Sequence, residues 1–454
     1  MGRIKRFENS AKNTISRFRR RDFSGNAGQA IKNSTWTIAT TLASKIGSIA
    51  FVIIIARLMA PELYGLYGLA LSTILFMGVF GDFGIGPALI TFISKTRDKD
   101  PGKAKGYYKD LTKYRIMLVA LSSVLLLILA RWLAITYYQK PIYYALLAGA
   151  IYLPISIFSG HLGSIFISKS NFRPQFIKEL IIQAARIIII PLMIIFFLAN
   201  QVSTEIYLLW VILGLTVCYS LGWIYQIIAS RKDAVIRATK KILSAAEKKH
   251  LLYFIIPLSA TALSGVFFGY IDQIMLGHYV ESQFLGFYQS AFNLITAASA
   301  IISFAAVAVF PIFARLTKEK LERGFRRTRN ITLLISVLAA IFTFLLAPYI
   351  IRVIYGGDYM TAVNYLRLLS LLLISFPLIN LYTTYYTAQE KTKMISIALI
   401  AATVLNIILN YVFINIGLSY SMYYAVMGAC IATIISRYAY LATMAIYRKI
   451  RTKN

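Results

Sequence analysis

Charge is what this chain has least of. Only 14% of its 454 residues are Asp, Glu, Lys or Arg, where a soluble protein carries about a quarter. Acidic side chains are the scarcer kind, 17 against 48 basic ones. Two cysteines, Cys218 and Cys430, lie far apart inside apolar runs, which leaves no disulfide framework and no thiolate metal spacing. No Walker-type phosphate loop is present, which argues against direct ATP drive. The first thirty residues are basic and lack the apolar core of a signal peptide.

Apolar residues make up 58% of the chain, and they come in helix-length runs. Between Lys32 and Arg57 the only charge is Lys45. The turn Ala60-Pro61-Glu62-Leu63-Tyr64-Gly65 follows, and then a second run to Ser94 broken only by Asp82. Each run exceeds the roughly 20 residues needed to cross a bilayer. The pattern continues and predicts an all-α polytopic membrane protein of about twelve spans. These lie near 33–57, 65–94, 112–134, 142–168, 176–199, 205–229, 251–277, 286–314, 330–354, 362–389, 394–415 and 422–447.

A net charge of +31 first suggests nucleic acid, but its placement excludes that partner. Lys and Arg gather in the N-terminal arm, the C-terminal tail and loops after even-numbered spans, while odd-numbered spans end in nearly uncharged turns. This is the positive-inside pattern. It predicts a plasma or inner membrane protein with both termini cytoplasmic, whose basic arm touches anionic lipid. Tyr64, Tyr137, Tyr138, Tyr355, Tyr359, Tyr420, Tyr423 and Tyr424 collect at the predicted outer ends, as an aromatic belt would.

The longest internal break divides the chain. The expected parts are a basic arm (1–32), an N-lobe of six helices (33–229), a cytoplasmic linker (230–250), a C-lobe of six helices (251–447) and a tail (448–454). The halves echo each other: at an offset of 221, Gly65, Tyr67, Ala70 and Ile74 fall on Gly286, Tyr288, Ala291 and Ile295. Helices four and ten each carry a mid-span proline, Pro154 and Pro377. An even number of helices per repeat inserts both the same way up, with a cavity between them.

Charges inside apolar runs cost roughly 2.5–3.5 kcal/mol each to insert and so face a cavity or a partner. In the first half these are Lys45, Asp82 and Arg186; in the second, Asp272 and Arg367. Helix one sets Thr37, Thr41, Ser44 and Ser48 beside Lys45, helix eight carries Asn293 and Thr296, and helix eleven carries Asn406 and Asn410. Such stripes predict a wet cavity. The alternative is internal pairing, Lys45 with Asp82 and Arg367 with Asp272. His161 reads as a packing histidine and competes with a proton relay.

Several motifs carry a resemblance. The stretch Ala56-Arg57-Leu58-Met59-Ala60-Pro61-Glu62-Leu63-Tyr64-Gly65-Leu66-Tyr67 resembles the first turn of the polysaccharide-biosynthesis flippases. Asp82-Phe83-Gly84-Ile85-Gly86-Pro87-Ala88-Leu89-Ile90 resembles their second-helix motif. Asp272-Gln273-Ile274-Met275-Leu276-Gly277, Leu285-Gly286-Phe287-Tyr288, Phe310-Pro311 and Tyr355-Gly356-Gly357-Asp358-Tyr359 fit the same family. It is the O-antigen and oligosaccharide branch of the multidrug/oligosaccharidyl-lipid/polysaccharide exporter superfamily. Ile90-Thr91 departs from it, since many relatives carry a basic residue there.

The resemblance implies a V-shaped, two-lobed bundle that alternates between inward- and outward-open states. Its cargo would be an isoprenoid-diphosphate-linked oligosaccharide moved to the outer leaflet, with other glycan-assembly proteins as partners and no cofactor. Lys45, Arg57, Arg186 and Arg367 are then the expected diphosphate ligands. Asp82 and Asp272 are the expected sites for a coupling Na⁺ or H⁺. Thr41, Ser48, Asn293, Thr296, Asn406 and Asn410 would line the cavity. A cation-coupled multidrug antiporter of the same superfamily is the first alternative, disfavoured by a cationic cavity. A membrane-embedded polymerase or glycosyltransferase is the second, disfavoured by the short outer turns.

Overall fold

A computed structural model describes residues 25–313, 318–389 and 391–451. Most of the expected basic arm and the end of the tail fall outside them. Helices α1 (Gly25–Leu58), α2 (Pro61–Gly78), α3 (Ile85–Thr96), α4 (Pro101–Arg131), α5 (Tyr143–His161), α6 (Gly163–Ser168), α7 (Arg173–Ala199) and α8 (Thr204–Ser230) make up the first half. A one-turn helix, α9 (Ala234–Arg237), sits in the connection. The second half holds α10 (Ala245–Tyr279), α11 (Ser282–Phe313), α12 (Lys318–Ile354), α13 (Ala362–Leu369), α14 (Leu372–Ala388), α15 (Thr392–Leu418) and α16 (Met422–Arg451).

Each of the twelve expected spans is occupied by helix. Among the described residues, ten helices are long and apolar enough to cross a membrane, or eleven if the pair α13 and α14, bent by 40°, is one span. The outer faces are as apolar as lipid contact demands: Ile128, Leu192, Phe342 and Leu345 are all more than half exposed. Helix starts follow local chemistry. Pro61 and Pro101 occupy first-turn positions where no backbone donor is needed. Asp100 accepts from the Lys103 amide, and Ser244 with Glu247 forms a reciprocal capping box.

That capping box moves a boundary. The seventh span begins at Ala245, inside the expected linker, and the preceding segment packs on the first half. Asp233 pairs with Arg97, Lys240 with Asp110, Lys241 with Asp100 and Lys103 with Glu247. The Asp100 carboxyl is held below its usual range, first by the hydrogen bond from Lys241, and Glu247 is lowered first by Lys103. Depressed carboxyls contribute to holding the segment above the ordinary carboxylate range, and that contribution is lost as pH falls through the lowered values. Limited proteolysis across 231–249 is therefore expected to accelerate only below about pH 4.

The two halves meet at the ends that carry the uncharged turns. Here α2 crosses α11, and the contact is self-complementary. A side-chain carbon on Gly65 would overlap the Ser282 carbonyl, and one on Gly286 would overlap the Pro61 carbonyl. The 221-residue offset converts Gly65 into Gly286 and Pro61 into Ser282, so equivalent residues of the two repeats face each other across a local two-fold. Gly65→Val is expected to lower the melting temperature of the purified protein, with an overpacking cost of about 1–3 kcal/mol.

Other bonds reinforce this seal. Tyr359 donates to the Met59 carbonyl at 3.1 Å, the Asn293 amide donates to the Tyr64 hydroxyl at 2.9 Å, and Lys140 donates to the Gly277 carbonyl at 2.9 Å. Tyr64, Tyr138, Tyr355 and Tyr359 are consequently buried, not interfacial as an aromatic belt requires. Tyr420 and Tyr424 do face outward, at 77% and 54% exposure. The buried tyrosines serve polar groups of the seal that no water or headgroup reaches.

Candidate functional site

The second half buries a carboxylate. Asp272 on α10 is 5% exposed and accepts three hydrogen bonds: from Tyr288 on α11 at 2.9 Å, from the Asn410 amide on α15 at 2.6 Å, and from Thr433 on α16 at 2.5 Å. Asn406, one turn from Asn410, donates to Ser436 at 3.1 Å. The Oδ1 atoms of both asparagines are buried without a donor. Two amide oxygens therefore stand without donors beside a carboxylate, and oxygen acceptors of this kind are what hard cations take. Arg437 lies one turn beyond Thr433, stacked 3.5 Å over Phe268 and donating to its carbonyl at 2.6 Å.

In the first half, the cation is Arg186 on α7. Its guanidinium lies 4.1 Å over the ring of Phe51 on α1, a cation–π contact favoured by the weak hydration of arginine. Its Nε is buried with no acceptor, and it forms no ion pair among the described residues. Tyr67, Tyr152 and Cys218 are within its electrostatic reach. The repeat offset carries Phe51 to Asp272 and Tyr67 to Tyr288. One architectural position thus holds an arginine platform in one half and a carboxylate in the other.

Asp82 belongs to a third cluster. The second span breaks after α2, where Phe83 and Gly84 adopt φ of 38° and 76°. Glycine takes that region freely, whereas phenylalanine is strained there. The break exposes Asp82 to Arg115 on α4, which binds its carboxylate directly. Arg115 also donates to His161 Nδ1 at 2.8 Å, and His161 Nε2 lies 2.7 Å from the Thr112 hydroxyl. Because a guanidinium only donates, Nδ1 must accept, so Nε2 carries the proton toward Thr112. Arg115→Leu would leave the half-exposed Asp82 and His161 without their shared partner. We expect a loss of about 1–3 kcal/mol after discounting for solvent screening, partly restored by adding Asp82→Asn, both read by thermal melting.

Neither pairing weighed from sequence occurs. Lys45 is not with Asp82: it is exposed on α1 and has no ion pair or hydrogen bond among the described residues. Arg367 is not with Asp272: it sits 5.8 Å from the Phe344 ring, in the seam of α13 with α12, and donates to Asn364 at 3.4 Å. Arg57 donates to the Ile354 carbonyl at 2.8 Å and also to that of Val353, capping the end of α12 across the seal. A cation there complements the helix dipole. Arg57 is also about 18 Å along α1 from Lys45, at 1.5 Å per residue. Arg57 and Arg367 thus have acceptors of their own, whereas Lys45 and Arg186 form no hydrogen bond or ion pair among the described residues.

The expected cavity-lining residues divide similarly. Asn406 and Asn410 are fully buried in the Asp272 cluster, and Asn293 serves the seal. Thr296 donates to the Asn293 carbonyl at 3.0 Å, Thr41 to the Thr37 carbonyl at 2.9 Å, and Ser48 is half-buried. Sequence reasoning missed Arg115 and Arg437. Arg115 stands at the start of the expected third span and merges with the basic residues before it, because the helix begins at Pro101, well before its apolar stretch. Arg437 had a signal, a lone charge in the last span behind Thr433 and Ser436.

Known proteins place this geometry. Among curated proteins, none matches the sequence significantly. The likeness to solved structures is one of fold. The inward-facing conformation of a multidrug resistance MATE family transporter of the MOP superfamily superposes with a TM-score of 0.69 at 15% identity, covering 93% of this chain and 99% of that one. The lipid II flippase MurJ in an inward closed conformation gives 0.67 at 17% identity, covering 90% and 86%. An outward-facing MATE transporter gives 0.52 at 16% identity, covering 95% and 98%. Residues 257–412 match the MatE family. Residues 30–317, well over half of the chain, match the family described as polysaccharide biosynthesis protein, and the chain is a multi-pass membrane member of that family.

Proposed function

We propose that this protein is a flippase that moves an isoprenoid-diphosphate-linked oligosaccharide from the cytoplasmic to the outer leaflet by alternating access, without enzymatic chemistry. The observation that carries this reading is Arg186, a half-buried guanidinium with no carboxylate partner among the described residues. An arginine kept in an apolar lobe at that cost is held for an anionic visitor, and its fork matches phosphate oxygens. The solved flippase of similar fold is described as acting on lipid II, which supports a lipid-linked glycan as the class of cargo. The basic ends lie in the cytoplasm of a plasma or inner membrane, where they meet anionic lipid.

A diphosphate with about two negative charges gains roughly 4–5 kcal/mol in moving outward across 100 mV, inside negative. Cargo transfer is then downhill, and an ion serves to reset the empty carrier. The Asp272 cluster is its binding site. Asp82 is less suited, since Arg115 already neutralises it.

The test uses full-length protein in vesicles loaded with a fluorescent isoprenoid-diphosphate oligosaccharide, with a membrane-impermeant quencher outside. Protein-dependent exposure of the label supports the reading. Absence of exposure, with expulsion of a cationic dye instead, replaces it with the antiporter, the reading that the MatE match favours.

A further inference from the structure

Each half stacks an arginine on a phenylalanine of its first long helix. In the first, Arg186 lies 4.1 Å over Phe51 on α1. In the second, Arg437 on α16 lies 3.5 Å over Phe268 on α10, with the ring of Phe376 on α14 5.0 Å away. Helices α1 and α10 correspond in the repeat: the 221-residue offset carries Phe51 to Asp272, and Phe268 precedes Asp272 by about one turn. Equivalent turns of the two repeats meet at the seal, so both platforms lie on the same side of it, at similar depth. Both guanidinium groups also have unused donors, since the Nε atoms of Arg186 and Arg437 are buried without an acceptor. Arg437 donates through Nη2 to the Phe268 carbonyl and forms no ion pair among the described residues. Asp272 does not claim it, because that carboxylate already accepts from three neutral donors. Arg437 is partly exposed. Gly265, one turn from Phe268 on the same face of α10, is exposed, and a side-chain carbon there would meet nothing within 4 Å. Open space thus borders the ring on which the guanidinium rests.

We propose that Arg437, set on Phe268 beside Phe376, is a second phosphate platform, which binds the cargo's diphosphate in the second half as Arg186 binds it in the first; this rests on the flippase reading. Ring faces hold a weakly hydrated guanidinium in an apolar lobe and fix its plane, so its unused N–H groups are oriented before the ligand arrives. A planar fork of that kind fits the oxygens of a phosphoryl group, and the charge strengthens each bond. A diphosphate has two phosphoryl groups, so a platform in each half gives one anion two partners. Alternating access moves the halves relative to each other. An anion held from both is not left unpaired in the apolar interior when one contact opens.

The experiment measures binding to full-length protein in phosphatidylcholine nanodiscs by microscale thermophoresis. The probes are undecaprenyl diphosphate and undecaprenol, which share a lipid and differ in the phosphates. Arg437→Gln is expected to weaken the diphosphate by about tenfold and to leave the alcohol within about twofold. With Arg186→Gln added, the diphosphate should bind no better than the alcohol. If the glutamine variant does not fold, a smaller, diphosphate-selective loss in Arg437→Lys supports the platform and its absence overturns it. Unchanged diphosphate binding in a folded Arg437→Gln, or equal losses on both probes, also overturns it. Mixing phosphatidylglycerol into the discs separates cargo from lipid headgroup: a persisting difference between wild type and variant supports the cargo, and its disappearance overturns that assignment. If Arg186→Gln weakens the diphosphate and Arg437→Gln does not, the second platform falls and the flippase reading stands. If the wild type binds the diphosphate no better than the alcohol, both fall.

Discussion

Arg186→Ala is expected to cut flipping by about 10- to 100-fold, the worth of a charge-assisted hydrogen bond to phosphate of about 1.5–3 kcal/mol. The same change should leave the melting temperature unchanged or raise it. Arg186 has no described counter-ion and a buried Nε without an acceptor, so alanine removes an uncompensated charge from an apolar lobe. A residue that served only packing would behave oppositely, losing stability in step with transport. Arg186→Lys should fall between, since an ammonium keeps the charge but loses the planar fork and the stacking on Phe51. Unchanged flipping in the alanine variant, measured by label exposure in vesicles, would remove Arg186 from the cargo path.

The second large effect is at Asp272. Asp272→Ala strands the Tyr288 and Thr433 hydroxyls and the Asn410 amide in a buried cluster, with Arg437 nearby. A stability loss on the order of 3–5 kcal/mol is expected, as for breaking a buried charged network, and the protein should aggregate on purification. Asp272→Asn keeps the shape and one acceptor, so it should fold. Its transport should no longer respond to an imposed Na⁺ or proton gradient, because no anionic ligand remains. If the asparagine variant keeps the wild-type response to both gradients, the coupling ion binds elsewhere.

Some of this was legible in the residue order. Apolar runs placed helix at each of the twelve expected spans, ten or eleven of which are long and apolar enough to cross a membrane among the described residues, because lipid imposes length directly on composition. The repeat was visible in Gly65 and Gly286, and the reason is now physical, since those glycines touch across the local two-fold. Partnerships were not legible. Lys45 and Asp82 are near in sequence and look like a pair, yet Arg115 reaches Asp82 because the second span breaks at Phe83 and Gly84. Arg57 looked like a ligand, and only the approach of the α12 terminus reveals its carbonyl acceptors. Composition reports which groups must be satisfied, whereas chain crossings choose what satisfies them.

Helix α10 is fastened to both halves. Near its start, Glu247 binds Lys103 and Leu251 is buried among residues of α3 and α4. Further along, Ser264 receives Thr403, and Asp272 receives Asn410 and Thr433, all from the second half. A beam bolted to two bodies that swing apart, as the proposed transport cycle requires, has to flex. Gly265 and Gly269 lie on an open flank of that helix, where an added side-chain carbon would meet nothing within 4 Å and nothing resists curvature. The curvature of this one helix would then be the natural gauge of the transport cycle, readable from spin labels placed on either side of the glycines.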